Sequence, residues 1–267
     1  MTLRVLLYGL LGGLPLTIAA LGAGHFAWWW LAGILLAASF VPIALYGPRG
    51  VLRQLGVIAP VLLVVTVLCT WSEALIFLPG ADRDPARDLV GALVLYVIEA
   101  VALAVLAPAL KLTRESAVRV PRRSLAATVS MLLACGVAYA AYYLVFGAIT
   151  YQFFTKGYYP DAIEVAQRLG LWLWVIQISR GALMTLAVLP AIFTLRLPRG
   201  RAAIAVGALI WVAGGAAPLL PPNDFMGTAQ RMIHIVEILT QNALLGITAV
   251  LLLRPRPAPV AAANRAA

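Results

Sequence analysis

The sequence predicts an all-α, polytopic membrane protein of eight transmembrane helices. Three observations carry that expectation: apolar residues make up 63% of the chain, eight apolar runs divide it, and the basic residues fall on alternate loops. Only 11% of the 267 residues are charged, and the mean hydropathy is +0.96, more apolar surface than a soluble domain can hide. A net charge of +10 would also suit a nucleic-acid partner. Here, however, the basic residues are spread over short loops between apolar segments, which is the pattern of a topology signal with some attraction to anionic lipid headgroups.

A spanning helix needs roughly 20 apolar residues. The expected spans are 4–22, 27–46, 56–79, 89–110, 125–150, 169–195, 202–220 and 228–253. Hydrocarbon offers no partner for a free N–H or C=O, so each span has to be a helix. Span one carries the small pair Gly12 and Gly13, suited to close helix packing. Its stretch MTLRVLLYGLLGGLPLTIAALGAG also has features of a cleaved signal peptide, with small residues at Gly22 and Ala23. The run is long for that role, and Trp28, Trp29 and Trp30 open span two as an interfacial belt after a tight turn at Gly24–His25. Span two leaves through VPIALYGPRG. Span three places Thr66, Cys69, Thr70 and Glu73 on one face, and span four carries Glu99 in YVIEA. The outer half of span five brings Tyr139, Tyr142, Tyr143, Tyr151 and Gln152. Span six has Gln177 and Arg180 on one face, span seven has Gly214 and Gly215, and span eight reads RMIHIVEILTQNALLG from Arg231 to Gly246. Cys69 and Cys135 lie in apolar runs and are expected as core residues rather than a disulfide.

Eight spans put both termini on one side. That side collects 14 basic residues against one acid, Glu115, and the other side has four basic residues against six acids. The asymmetry predicts that both termini are cytoplasmic, in a plasma (inner) membrane. The Pro/Ala-rich segment 254–267 is expected to be a disordered cytoplasmic tail behind a single domain, 1–253. A four-plus-four duplication, with repeats 1–115 and 120–253, fits several paired features. Spans two and six both have outer tryptophans, a late proline (Pro42, Pro190) and a Pro-Arg-Gly exit at 48–50 and 198–200. Spans four and eight both carry a mid-helix glutamate, Glu99 and Glu237.

The polar groups inside the spans are the candidate site. Each helical residue turns about 100°, so Arg231, His234, Glu237, Gln241 and Asn242 share an arc of about 140° on span eight. Given the orientation above, Glu73, Glu99, Arg180, Arg231, His234 and Glu237 all fall between the outer interface and the midplane. A charge at the centre of a spanning helix costs roughly 2.5–3.5 kcal/mol. The cost is tolerable where charges pair, protonate or meet water, so these groups are expected to gather in one outer pocket, with Arg180 paired to one of the three glutamates. The pathway candidates are therefore Glu73, Glu99, Gln177, Arg180, Arg231, His234, Glu237, Gln241 and Asn242.

Three functional readings fit such a pocket. One is a transporter or permease of a small, anionic solute with proton coupling. Another is an intramembrane enzyme acting on a lipid or lipid-linked substrate, with His234 and Glu237 as an acid–base pair. The third is a structural or assembly subunit held in register by buried ion pairs. The sequence has no H-E-x-x-H and no third histidine for a zinc site, so metal ligation by His234 with Glu237, or haem between His25 and His234, has little beyond the residues themselves to support it. The lipid bilayer is the expected partner, with a small-molecule or lipid ligand.

Overall fold

The computed structural model describes residues 1–22, 24–77, 85–120, 123–158, 162–223 and 226–255. Among these, eight helices are long and apolar enough to cross a membrane: Thr2–Ala19, Phe26–Tyr46, Val51–Ile76, Ala86–Ala109, Leu125–Thr155, Leu171–Thr194, Arg199–Leu219 and Thr228–Leu253. They correspond in order to the eight expected spans, so the chain is an all-helical, multi-pass membrane protein. Ala23, the loop charges Asp82, Arg83, Asp84, Arg122, Asp161 and Asp224, and the tail from Arg256 onward lie outside the described residues.

The boundaries differ from expectation where polar residues hide a helix start. Span three begins at Val51, earlier than the apolar run, because its first turns are amphipathic: Arg53 is exposed while Gln54 is buried and donates to the Pro48 carbonyl at 2.8 Å. Span five continues to Thr155. A short helix, Ala162–Leu169, then leads into span six across Gly170, whose φ of +51° suits glycine.

Two spans change pitch in mid-course. Val61–Cys69 of span three and Val212–Ala216 of span seven are π-helical. Each adjoins a proline, Pro60 before the first and Pro218 after the second. A proline ring crowds the carbonyl four residues earlier, which for Pro218 is that of Gly214 inside the wide segment, so widening the turn there relieves the clash. The two wide segments pack against each other in the middle of the bundle.

Small residues let the spans approach closely. A Cβ on Gly246 would stand 2.6 Å from the Gly207 Cα, and one on Gly33 would stand 2.6 Å from the Gly13 Cα. Spans seven and eight, and spans one and two, therefore touch backbone to backbone. Spans five and six do the same: a Cβ on Gly136 would lie 2.4 Å from the Ile178 carbonyl oxygen, and one on Gly181 would lie 2.4 Å from the Tyr139 Cβ. That contact sets Arg180 beside Tyr139.

One end of the bundle is knitted by basic residues. The backbone N–H of Arg114 donates to the Leu45 carbonyl at 2.7 Å, and that of Arg196 to the Tyr46 carbonyl at 2.9 Å. The guanidinium of Arg196 reaches the Gly47 carbonyl at 3.0 Å. Arg254 is buried and donates to the carbonyls of Ile192 at 2.5 Å, Leu195 at 2.7 Å and Leu197 at 3.1 Å. Burial pulls the Arg254 guanidinium down to about 10, still cationic at neutral pH. The Leu45, Tyr46 and Ile192 carbonyls lie in last helical turns and those of Gly47, Leu195 and Leu197 in the exits just beyond, and cations there also oppose the helix dipole. Arg254, the first residue of the segment expected to form a tail, is thus part of the packed end. Met1 lies at the same end, its sulfur against the Arg114 guanidinium.

Candidate functional site

Spans three, five, six and eight bring together five of the nine candidates: Glu73, Arg180, His234, Glu237 and Gln241. Arg180 donates from Nη2 to Glu73 Oε2 at 2.5 Å. His234 Nδ1 meets Glu237 Oε2 at 2.9 Å, one helical turn away, and Gln241 Nε2 donates to Glu237 Oε1 at 3.3 Å. His234 lies close enough to act electrostatically on Glu73, which joins the two pairs into one network. The sequence left open which glutamate neutralises Arg180; the geometry selects Glu73.

Span five supplies the aromatic wall. The Arg180 guanidinium carbon stands 5.7 Å from the Tyr139 ring centroid, within cation–π range. Tyr143 packs 6.3 Å from Tyr139, centroid to centroid, and lies beside Glu73. Gly147 continues the wall, where an added Cβ would sit 3.6 Å from Glu237 Oε1. The sequence marked Tyr139 and Tyr143 only as part of an aromatic half-span, and gave no sign of Gly147.

Access differs sharply between the buried charges. Glu73 and His234 keep 20% and 21% of their side-chain surface, against 8% for Arg180. The Arg180–Glu73 pair therefore has an edge that the described residues do not cover.

Four candidates lie outside this network. Glu99 is completely buried, and neither of its oxygens accepts a hydrogen bond from the described residues. Its electrostatic neighbours are Tyr8 of span one and Tyr96 on its own helix, in the part of the bundle built by spans one to four. The expectation of a single pocket for all six ionisable groups thus fails for Glu99. Depth along the bilayer normal is legible in a sequence, whereas position around the bundle depends on helix order in space. Arg231 also stands apart: it is buried, and it donates to the Met226 carbonyl at 3.1 Å and to Thr228 Oγ1 at 3.4 Å, both at the start of its own helix. Asn242 lies deeper, donating to the Ile210 carbonyl at 3.4 Å where span seven widens. Gln177 is buried on span six.

Two threonines of span three share a property with these last two. Thr66 Oγ1, Thr70 Oγ1, Gln177 Oε1 and Asn242 Oδ1 are buried without a hydrogen-bond partner among the described residues. A Cβ on Gly214 would stand 2.8 Å from Asn242 Nδ2 and 2.9 Å from Val65 Cγ1, so Asn242 sits where the two π-helical segments meet span eight. Wide turns leave backbone groups free and recur at functional sites.

The described residues contain no group of three or more His, Cys, Asp or Glu side chains arranged to hold a metal ion. His234 and Glu237 are within bonding range of each other, but no third such ligand joins them. Cys69 and Cys135 are buried free thiols. Comparison of the chain with protein-family models, with curated proteins and with solved structures finds no match.

Proposed function

We propose that this protein is a proton-coupled permease of a small anionic solute, in which the solute competes with Glu73 for Arg180. One observation carries the reading: the 2.5 Å contact between Arg180 and Glu73 lies in a network whose edge residues Glu73 and His234 remain partly accessible. A pair sealed from both sides would serve structure alone. A pair with an open edge can exchange a proton.

The coupling follows from charge. While Glu73 is ionised it neutralises Arg180, and a second anion would have to displace it. A proton on Glu73 cancels that attraction and leaves the guanidinium for the solute. Proton and anion then enter together and the site keeps its net charge, which avoids the cost of an unpaired ion in a low-dielectric interior. His234, held by Glu237, is the group suited to pass that proton, since imidazole exchanges protons near neutral pH. The buried, unpartnered polar groups of Thr66, Thr70, Gln177 and Asn242 would extend the route toward the opposite side. In this reading the arginine-rich end faces the cytoplasm, following the basic-loop asymmetry. Two repeats meeting at the site would supply the rocking elements of such carriers.

The test uses purified protein in liposomes with a trapped pH-sensitive dye. Inward gradients of chloride, nitrate, phosphate and glutamate are imposed one at a time. At least one should draw protons in. Arg180→Gln should stop both fluxes, and Glu73→Gln should allow anion movement without protons. If no gradient moves protons faster than in protein-free liposomes, the proposal fails.

A second reading has one observation in its favour. With Nδ1 of His234 held at 2.9 Å from Glu237, the other ring nitrogen is free for acid–base chemistry on a lipid-linked substrate. Turnover of added lipid that is lost in His234→Gln, without solute flux, would favour an enzyme.

A further inference from the structure

The arginine-rich end holds a feature that permeation does not use. A groove of about 390 Å³ opens where spans two and six end and span three begins. Arg49, Arg53 and Arg196 line it together with the apolar side chains Val118, Val120 and Phe193. A second groove, sharing Arg49 and Arg196, continues past Glu115 and Ser116.

These arginines differ in how they are engaged. Arg196 is tied to the Gly47 carbonyl at 3.0 Å, which fixes its charge at the groove wall. Arg53 is exposed and makes no hydrogen bond or ion pair among the described residues. Arg49 meets Glu115 at 3.0 Å, but the two side chains are 58% and 92% exposed. An ion pair that open to water contributes little and yields readily to a better anion. Three arginines against one glutamate leave the grooves with an excess of two positive charges.

We propose that this groove binds the phosphate headgroup of an anionic phospholipid. Three features specify that occupant. The excess positive charge calls for an anion, and a guanidinium fork matches phosphate oxygens. The Val118–Val120–Phe193 floor calls for an apolar portion beside the phosphate, which a glycerol–acyl junction supplies and a free ion does not. The groove also lies at helix ends, the level at which headgroups sit.

The experiment is native mass spectrometry of the full-length protein released from phosphatidylcholine nanodiscs doped with phosphatidylglycerol. Arg49→Gln/Arg53→Gln is compared with Arg4→Gln/Arg201→Gln, which removes the same charge from exposed positions outside the groove. Arg196 is left intact because it holds helix ends together. Each groove arginine removed should weaken phosphatidylglycerol retention roughly fivefold, or about 25-fold for both, with the control pair close to wild type. Equal losses in the two double variants would reduce the effect to general surface charge and overturn the site. A further arm adds inorganic phosphate. Retention that survives excess phosphate supports the lipid, while displacement by phosphate alone, with no preference for phosphatidylglycerol over phosphatidylcholine, overturns it.

Discussion

Removing Arg180 tests the electrostatic core of the site. Arg180→Leu deletes one member of a contact made at 2.5 Å and leaves Glu73 facing Tyr139 and Tyr143 without its counter-charge. Breaking a buried pair by deleting one partner costs about 3–5 kcal/mol, because the remaining charge is stranded. Glu73 keeps 20% of its side-chain surface uncovered by protein, so the carboxylate is not sealed in the interior and the lower end of that range applies. For a chain of this size, about 3 kcal/mol corresponds to a fall in Tm of roughly 6–12 °C. The assay is retention of the monodisperse peak in detergent gel filtration after heating across a temperature series. Glu73→Gln in the Arg180→Leu background removes the stranded charge and should recover most of the loss. Glu237→Gln should recover less, since its carboxylate is already held by His234 and Gln241. Glu99→Gln should recover nothing. The pairing argument is refuted if the double variant Arg180→Leu/Glu73→Gln is less stable than Arg180→Leu, or if Glu99→Gln rescues as well as Glu73→Gln.

Three further outcomes are expected. Glu99→Gln alone should shift stability by less than about 1 kcal/mol in the same heating assay, because neither carboxyl oxygen makes a bond that the amide would lose. Arg254→Met, losing three hydrogen bonds to carbonyls at and just beyond the end of span six, should cost about 3 kcal/mol in that assay although the residue borders the tail. In a background without Cys69 and Cys135, His234→Cys should react with a membrane-impermeant maleimide in intact cells or sealed vesicles, and Asn242→Cys much more slowly. The gradient follows from 21% exposure at the first position and 1% at the second, and equal inertness at both would mean that the open edge of the site faces lipid.

The glutamates show where sequence reading stops. Hydropathy placed Glu73, Glu99 and Glu237 in the same depth zone, because depth is set by distance along a span from its polar ends. It also gave the shared face of His234, Glu237 and Gln241, because an α-helix fixes angles between residues four or fewer apart. It did not reveal that span four stands against spans one to three, which leaves Glu99 beside Tyr8 and Tyr96 rather than Arg180. The early start of span three was likewise hidden, since an amphipathic turn holding Arg53 and Gln54 looks polar in a hydropathy window.

The sequence by itself determined the class, the number of spans and their order, because hydrocarbon leaves a long apolar segment little choice but to be a helix. It also marked which helices carry ionisable groups. Only the tertiary structure decided which of those groups meet. Pairing across helices depends on neighbours, rotation and close glycine contacts such as Gly181 against Tyr139, and these are set by packing between segments far apart in the chain.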